Sequence, residues 1–541
     1  MKIALFDRFT LRQAPALSVR NVAYALVAMC LWFSTQAGAQ PTPENPTFAI
    51  KGFVLDGDNP LSESVTRILL APYVRPDATI ETLQKATASL ETEMKARGYA
   101  LHRVALPAQE LGAQVKLTVV KFVIGKITID GREQFSEANI RASVPVLQEG
   151  ESPNFRTMSV QTTLANESPA KRIQVVLKES EEPDQIDARI VVKESRPWNI
   201  SMSESNYGST ATGIDRFTVA ASHSNLFDRD HQLTLAYTTS LEQPKAVAQV
   251  GVNYRIPLYL LGGVVGVNYT QSDVVGEFGA FKSNGAGRTA GLNYSHYLHP
   301  SGGYRGFVTL GLDYKQFDVT HINDVPLVGQ TVRGSTPLTL GYNARVEGDY
   351  VVWGYNVDVA VNTPFGNGND LTSYRSEDTR IETARWVAVH AGTNYATGVG
   401  TGWIWSTRGQ LQYSPQALIS GEQFGLGGSN SVRGTGERPL SGDSGAVFST
   451  ELSTPEWLPG LRLLGFVDAG WLANTNPNGN PKPPNDSLSS VGLGLRFSLT
   501  NLLLTVDFGR VVSGSRMPAA PNSGVPQAGD QKLHLNLSAR F

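Results

Sequence analysis

The chain has 541 residues, with 46 basic and 48 acidic side chains and a formal net charge of −2. That length leaves room for more than one domain, and the near-balanced charge offers no basic surface for nucleic acid. A single cysteine excludes a disulfide framework and a thiolate metal site.

The first stretch reads as a leader. Arg12 and Arg20 precede an apolar run from Val22 to Phe33, and Ala37, Gly38 and Ala39 follow. Charge, apolar core and small residues in that order predict a secretory signal peptide over residues 1–39. The run is too short to cross a bilayer as a helix. Cys30 lies inside it. The mature chain would be cysteine-free, with 42 basic and 47 acidic residues and a net charge of −5, because Lys2, Arg8, Arg12, Arg20 and Asp7 leave with the leader. An exported, cysteine-free chain fits the bacterial outer membrane. Residues 40–47 (QPTPENPT) are too short and too rich in proline for a helix.

Residues 48–197 read as mixed helix and strand, twice over. The first unit, 48–123, opens with a strand at Phe48–Val54. Ser62 caps a helix over Glu63–Leu70, and a second helix runs from Ile80 to Arg97 with Ile80, Leu83, Leu90 and Met94 recurring at helical spacing. Strands at Ala100–Ala105 and Val115–Phe122 complete it. The order recurs over 124–197. A strand at Ile127–Ile129 leads to helices at Ser136–Ser143 and Phe155–Asn166, then strands at Arg172–Leu177 and Ile186–Val192. Each copy predicts helices on one side of a small sheet. The sheets have open edges that can accept an extended peptide. The acidic run Glu179–Asp187, with Pro183, reads first as a solvated hairpin turn.

From Trp198 to Phe541 alternation replaces the helical period. Val351, Trp353, Tyr355, Val357 and Val359 alternate with small or polar residues, as do Val491, Leu493, Leu495, Phe497 and Leu499. The segments have the length of a tilted membrane-spanning strand. Sixteen are expected, starting near 198, 214, 231, 246, 262, 287, 304, 336, 351, 384, 403, 445, 461, 489, 502 and 532. A spanning sheet must close, since unpaired edges are too costly in lipid. Tyr294, Tyr297, Trp403, Trp405 and Trp457 near segment ends suit an interfacial girdle. The final strand alternates Leu533, Leu535, Leu537 and Ala539 with polar residues and ends on Phe541. The fold class is thus two α+β domains followed by an all-β, sixteen-stranded transmembrane barrel over 198–541.

One long loop, about 415–444, interrupts the alternation. It carries Gly427, Gly428, Ser431, Val432, Arg433 and Gly434. A loop of this length inside a sheet protein is functional or disordered. The following strand reads Gly465-Phe466-Val467-Asp468-Ala469-Gly470. With Val467, Ala469 and Trp471 facing lipid, Asp468 and Phe466 face the lumen. A carboxylate in a barrel wall wants a partner, and Arg433 is the candidate, since a bidentate arginine–carboxylate contact is directional.

Other motifs are weaker. Gly442-Asp443-Ser444-Gly445 matches a protease nucleophile tetrapeptide, but a triad needs a base, an acid and an oxyanion hole around it. His296 and His299 are a near pair with no carboxylate cluster, so no metal is expected. No catalytic residue and no cofactor is expected either.

The combined pattern resembles the transporters of two-partner secretion, the haemolysin and filamentous-haemagglutinin secretion/activation proteins. Val104-Ala105-Leu106-Pro107-Ala108-Gln109 looks like the family's V-x-L-P-x-Q phrase in its first POTRA unit. Ser205-Asn206-Tyr207-Gly208-Ser209 looks like its entry into the barrel. Leu440-Ser441-Gly442-Asp443-Ser444-Gly445 matches the stretch after its arginine motif. Thr435 stands where the family has an aromatic after Arg-Gly.

The resemblance implies an outer-membrane barrel in lipid with periplasmic POTRA domains. Its partner would be a large secreted exoprotein with an N-terminal secretion domain. Capture would occur at POTRA strand edges, near Leu106, Pro107 and Gln109. The C-terminal strand ending in Phe541 would engage the barrel-assembly machinery. Arg433 would lock onto Asp468. The competing expectation is an assembly or insertion factor of the same superfamily; a passive porin ranks lower, because it calls for neither the POTRA pair nor the arginine loop.

Overall fold

The computed structural model describes residues 47–541 apart from 111, 279–280, 323–324, 479–481 and 519–523. The leader expected over 1–39, with Cys30, and the segment up to residue 46 lie outside the described residues. The chain divides into two compact units. Of the described residues, one unit holds those up to Thr92 and Arg103–Val120; the other holds Glu93–His102 and those from Lys121 onward.

In the first unit, Ser62 starts helix α1 (Glu63–Leu70) by accepting the Val65 N–H on its hydroxyl. Helix α2 (Ile80–Ala96) buries Leu83, Ala86 and Leu90 along one stripe. The sheet runs β1 (Gly52–Gly57), β3 (Gln114–Lys121), β2 (His102–Ala105), with β1 and β3 parallel. Val115, Leu117 and Val119 alternate inward on the central strand.

The second α+β module repeats the plan. It comprises β4 (Val123–Asp130), α3 (Glu137–Ser143), α4 (Phe155–Ala165), β5 (Lys171–Glu179) and β6 (Gln185–Glu194), in sheet order β4-β6-β5. Ser136 and Asn154 cap the two helices through their side chains. Ile124, Phe135, Ile140, Ile173 and Ile190 form its core. The acidic run turns between β5 and β6, with Asp184 left-handed at φ 57°.

Sixteen antiparallel strands then close a barrel. They are β7 (Trp198–Ser205), β8 (Arg216–Leu226), β9 (His231–Thr239), β10 (Gln249–Leu258), β11 (Gly263–Ser272), β12 (Gly287–Tyr297), β13 (Tyr304–Phe317) and β14, in two pieces, Arg333–Ser335 and Pro337–Glu347. There follow β15 (Val351–Asn362), β16 (Val387–Val399), β17 (Trp403–Tyr413), β18 (Ser444–Ser453), β19 (Leu461–Ala473), β20 (Asn485–Ser498), β21 (Leu502–Ser513) and β22 (Gln531–Arg540). No described helix is long and apolar enough to cross a membrane. The outward face is apolar and exposed, as at Leu340, Val357, Val467 and Leu493, and glycine, amide and charge line the lumen. The barrel closes where β22 meets β7, from Asn536↔Ser205 to Arg540↔Ser201. Beyond Ser205 the Asn206 carboxamide continues the ladder, donating to the Leu533 carbonyl at 2.6 Å and accepting the Leu535 N–H at 2.8 Å.

One girdle residue is not where alternation puts it. Tyr297 is buried, stacked on Phe307 and grouped with Leu164 of α4 and Val264. The second α+β module packs against the strand ends there, so the ring is covered by protein. The same joint holds a buried ion pair. Lys171 Nζ lies 2.6 Å from each of Asp230 Oδ2, Asn139 Oδ1 and Ser143 Oγ. Asp230 sits in the turn between β8 and β9 and also accepts the Tyr259 hydroxyl at 2.6 Å. Burial pulls the Lys171 ammonium below the usual lysine range, with Asp230 opposing that shift.

Candidate functional site

The loop between β17 and β18 runs inward. Its stem is a short hairpin pairing Phe424–Leu426 with Leu440–Gly442. Leu426, Val432 and Leu440 pack on Val447, Leu472, Leu488 and Val511 of the wall. This apolar seat fixes the loop against strands β18 to β21. Gly470 makes room for it, since a Cβ there would lie 2.0 Å from Leu426 Cδ1.

The tip turns on Gly427 and Gly428, both left-handed at φ 100° and 105°. Ser431 Oγ accepts the Gly427 N–H at 3.1 Å. Thr435 Oγ1 accepts the Gly428 N–H at 2.9 Å and donates to the Val432 carbonyl at 3.1 Å. Thr435 is itself buried, so its hydroxyl closes the tip.

Arg433 projects from this tip and is 2 % exposed. It meets Asp468 in a two-pronged contact, Nε to Oδ2 at 2.8 Å and Nη2 to Oδ1 at 2.7 Å. Its own main-chain N–H adds a third bond to Oδ2 at 3.1 Å. Nη1 reaches Glu451 Oε1 at 2.5 Å and lies 3.7 Å from Asp507 Oδ2. Nη2 also donates to Ser449 Oγ, and Ser449 in turn donates to Asp468 Oδ1. The guanidinium lies 3.4 Å over the centre of the Phe466 ring, a stacking that suits its planar, weakly hydrated charge. Gly492 leaves space for that ring; a Cβ there would lie 2.3 Å from Phe466 Cζ.

A close backbone approach sets the depth of the tip. A Cβ on Gly434 would come 2.9 Å from the main chain of Gly509 on β21, and Gly434 is left-handed at φ 94°. The Gly434 N–H donates to His534 Nε2 on β22 at 3.1 Å. At the other end of the loop, Glu422 accepts from Lys315 of β13 at 3.0 Å and from Ser335 of β14 at 2.6 Å. The loop therefore spans the lumen between opposite sides of the wall.

The structure thus brings together Arg433 and Asp468 as the sequence suggests. Gly427, Gly428, Ser431, Val432 and Gly434 all build the tip, and Phe466 and Gly470 seat it. Gly465 does not take part, because a Cβ there would meet nothing within 4 Å. Sequence reading missed Glu451, Ser449, Asp507, Gly509 and His534. It also missed Arg496, which forks onto Asp507 at 2.7 and 3.0 Å. The lumen-facing parity of Glu451, Ser449, Asp507, His534 and Arg496 was the available signal.

Leu106, Pro107 and Gln109 lie in the first unit. Leu106 follows β2 and is exposed. Gln109 binds both main-chain groups of Lys116 on β3, Nε2 to the carbonyl at 2.7 Å and Oε1 to the N–H at 2.8 Å. Ser444 of the protease-like tetrapeptide exchanges hydrogen bonds with the Ser414 backbone. Among the described residues no group of His, Cys, Asp or Glu could hold a metal ion.

The model of the haemolysin secretion/activation protein family ShlB/FhaC/HecB matches residues 184–497, more than half of the chain, and a ShlB-type POTRA domain matches 48–121. The chain belongs to this family. Members are outer-membrane transporters of two-partner secretion, so the barrel lies in the outer membrane, the POTRA region in the periplasm, and the cargo is a secreted exoprotein. The match assigns this secretion family member to export rather than to barrel insertion. Similar proteins include the outer membrane transporter CdiB of Escherichia coli, 23 % identical over 79 % of this chain and 73 % of that protein. The protein of the same name from Dickeya dadantii is 22 % identical over 80 % and 77 %. Among solved structures, CdiB from Escherichia coli superposes with a TM-score of 0.73 at 20 % identity, over 95 % of this chain and 93 % of that one. CdiB from Acinetobacter baumannii gives 0.69 at 18 %, over 92 % and 91 %. These structures share the fold.

Proposed function

We propose that this transporter captures an unfolded exoprotein in the periplasm, passes it through the barrel, and holds the lumen shut between passages by the Arg433–Asp468 contact. The observation that carries the reading is a fully buried, two-pronged ion pair joining a glycine-hinged loop to the wall. Buried charge is tolerated only when paired, so the loop has one strongly preferred seat.

In this reading residues 48–123 and 124–197 are the two POTRA domains, and 198–541 are the barrel with its loop at about 415–444. The exposed sheet edges take the cargo as an added strand, with the stretch around Leu106, Pro107 and Gln109 contributing. The apolar outer face meets lipid, and the C-terminal strand with its exposed Phe541 engages the assembly machinery. No step calls for catalysis, a metal or a cofactor: Ser444 is bonded to backbone, and translocation breaks no covalent bond.

The test is Arg433→Ala. Removing one partner of a buried pair costs about 3–5 kcal/mol, enough to unseat the tip. Pore conductance should rise and secretion of the cognate exoprotein should be impaired while the barrel remains heat-modifiable on a gel. Normal secretion by that variant removes the lock. Deleting residues 48–123 should abolish exoprotein capture in a pull-down; undiminished capture moves recognition elsewhere.

A further inference from the structure

The loop has a second buried ionic contact, at its outer end and away from Arg433. Asp443, the last residue before β18, is fully buried. Its carboxylate accepts four hydrogen bonds from separate pieces of chain. Oδ1 takes the Leu418 N–H at 2.9 Å and Gln423 Nε2 at 3.0 Å. Oδ2 takes Arg380 Nη1 at 3.0 Å and the Thr475 N–H at 2.9 Å. Arg380 belongs to the connection between β15 and β16, and Thr475 to the one between β19 and β20. Arg380 is also buried; it forks onto Asp378 and donates to the Thr475 carbonyl at 2.7 Å. One carboxylate therefore ties both legs of the arginine loop to two neighbouring connections.

We propose that Asp443, through Arg380, is the positioning residue of this loop: it fixes the stem so that Arg433 can reach Asp468. The geometry argues for it in two ways. Two of the four donors, Leu418 and Gln423, come from the loop's leading leg and two, Arg380 and Thr475, from neighbouring connections, so the contact clamps the stem, whereas the tip is held by the barrel wall. The hinge glycines Gly427 and Gly428 lie between the two contacts, so a loose stem lets the tip drift even with its own partners intact. An amide at 443 would turn its Nδ2 toward a main-chain N–H or toward Arg380, donor against donor. It would leave the Arg380 charge with Asp378 as its one remaining carboxylate.

The proposal rests on the lock reading above, and the experiment separates the two. A spin label at Asn430→Cys on the exposed tip, with Cys30→Ala in the same chain, reports loop motion in the purified full-length protein. Planar-bilayer recordings report the open fraction. Asp443→Asn and Arg380→Gln should each raise the open fraction by ~10-fold or more and sharpen the label's spectrum, as loss of one member of a buried pair implies. The double variant should do no more than the stronger single. An unchanged spectrum and open fraction in folded barrels overturns the proposal, and so does strict additivity. If Asp443→Asn fails to fold, Arg380→Gln alone decides. Arg433→Ala, run alongside, tests the lock by secretion, so its failure is visible without reference to Asp443.

Discussion

Two of the buried ion pairs, Lys171–Asp230 and Arg433–Asp468, are built differently. At the joint between the second α+β module and the barrel, Lys171 spends its ammonium on three acceptors at 2.6 Å, one of them charged. Across the lumen, Arg433 faces Asp468, Glu451 and Asp507 at once, with Arg496 sharing the surplus. A lysine satisfied on every proton has nowhere else to go. An arginine with spare carboxylates along the wall has neighbouring seats of similar charge. The first pair suits a permanent weld. The second suits a contact that is made and remade, and it sits at the end of a loop that turns on left-handed glycines.

The contrast can be broken experimentally. The largest effect is expected at the weld. Lys171→Ala leaves Asp230 buried without its cation, costing about 3–5 kcal/mol. It should free the module from the barrel, seen as new protease cuts near Arg196 with the barrel still intact; an unaltered digestion pattern refutes the weld. Arg433→Lys should come next. Lysine keeps the charge but cannot fork onto Asp468 or stack on Phe466, so secretion should fall between that of the parent and that of Arg433→Ala. Gly434→Ala tests depth rather than charge. Its left-handed backbone and the 2.9 Å approach to Gly509 both oppose a Cβ, for about 1–3 kcal/mol of strain. Pore conductance should rise while Arg433 remains present. The smallest effect is Thr435→Val, which removes one of the two acceptors of the Gly428 N–H, the Val432 carbonyl remaining, at about 1 kcal/mol, and should leave secretion near normal.

Much of this was legible from the chain. Strict alternation located all sixteen spanning strands, with starts within a few residues of those observed, because lipid on one side and a polar lumen on the other enforce a period of two. Ser62 announced its helix as a cap, while Ser136, read as the first residue of a helix, caps it instead. Arg433 stood out as a cation set among glycines in a long polar loop, and Asp468 because parity put it inside. Glu451, Asp507 and Arg496 share that parity, but so does any lumen residue bathed in water. The pairing of Lys171 with Asp230 joins a strand to a distant turn, and nothing local encodes it. Tyr297 was misplaced for the same reason: parity gives the face of a strand, not what covers its end. Gly509 carries a role that exists only because another backbone presses on it.

The span of the loop has a mechanical side. It is fastened to β13 through Glu422 and Lys315 and to β22 through Gly434 and His534, so it acts as a spoke across a ring. A ring of hydrogen-bonded strands resists stretching along its circumference but bends readily into an oval. With the spoke in place the cross-section is held; with the spoke released the same sixteen strands can flatten or widen around whatever passes. The usable bore of this channel is then set by the strand count together with whether the loop is fastened.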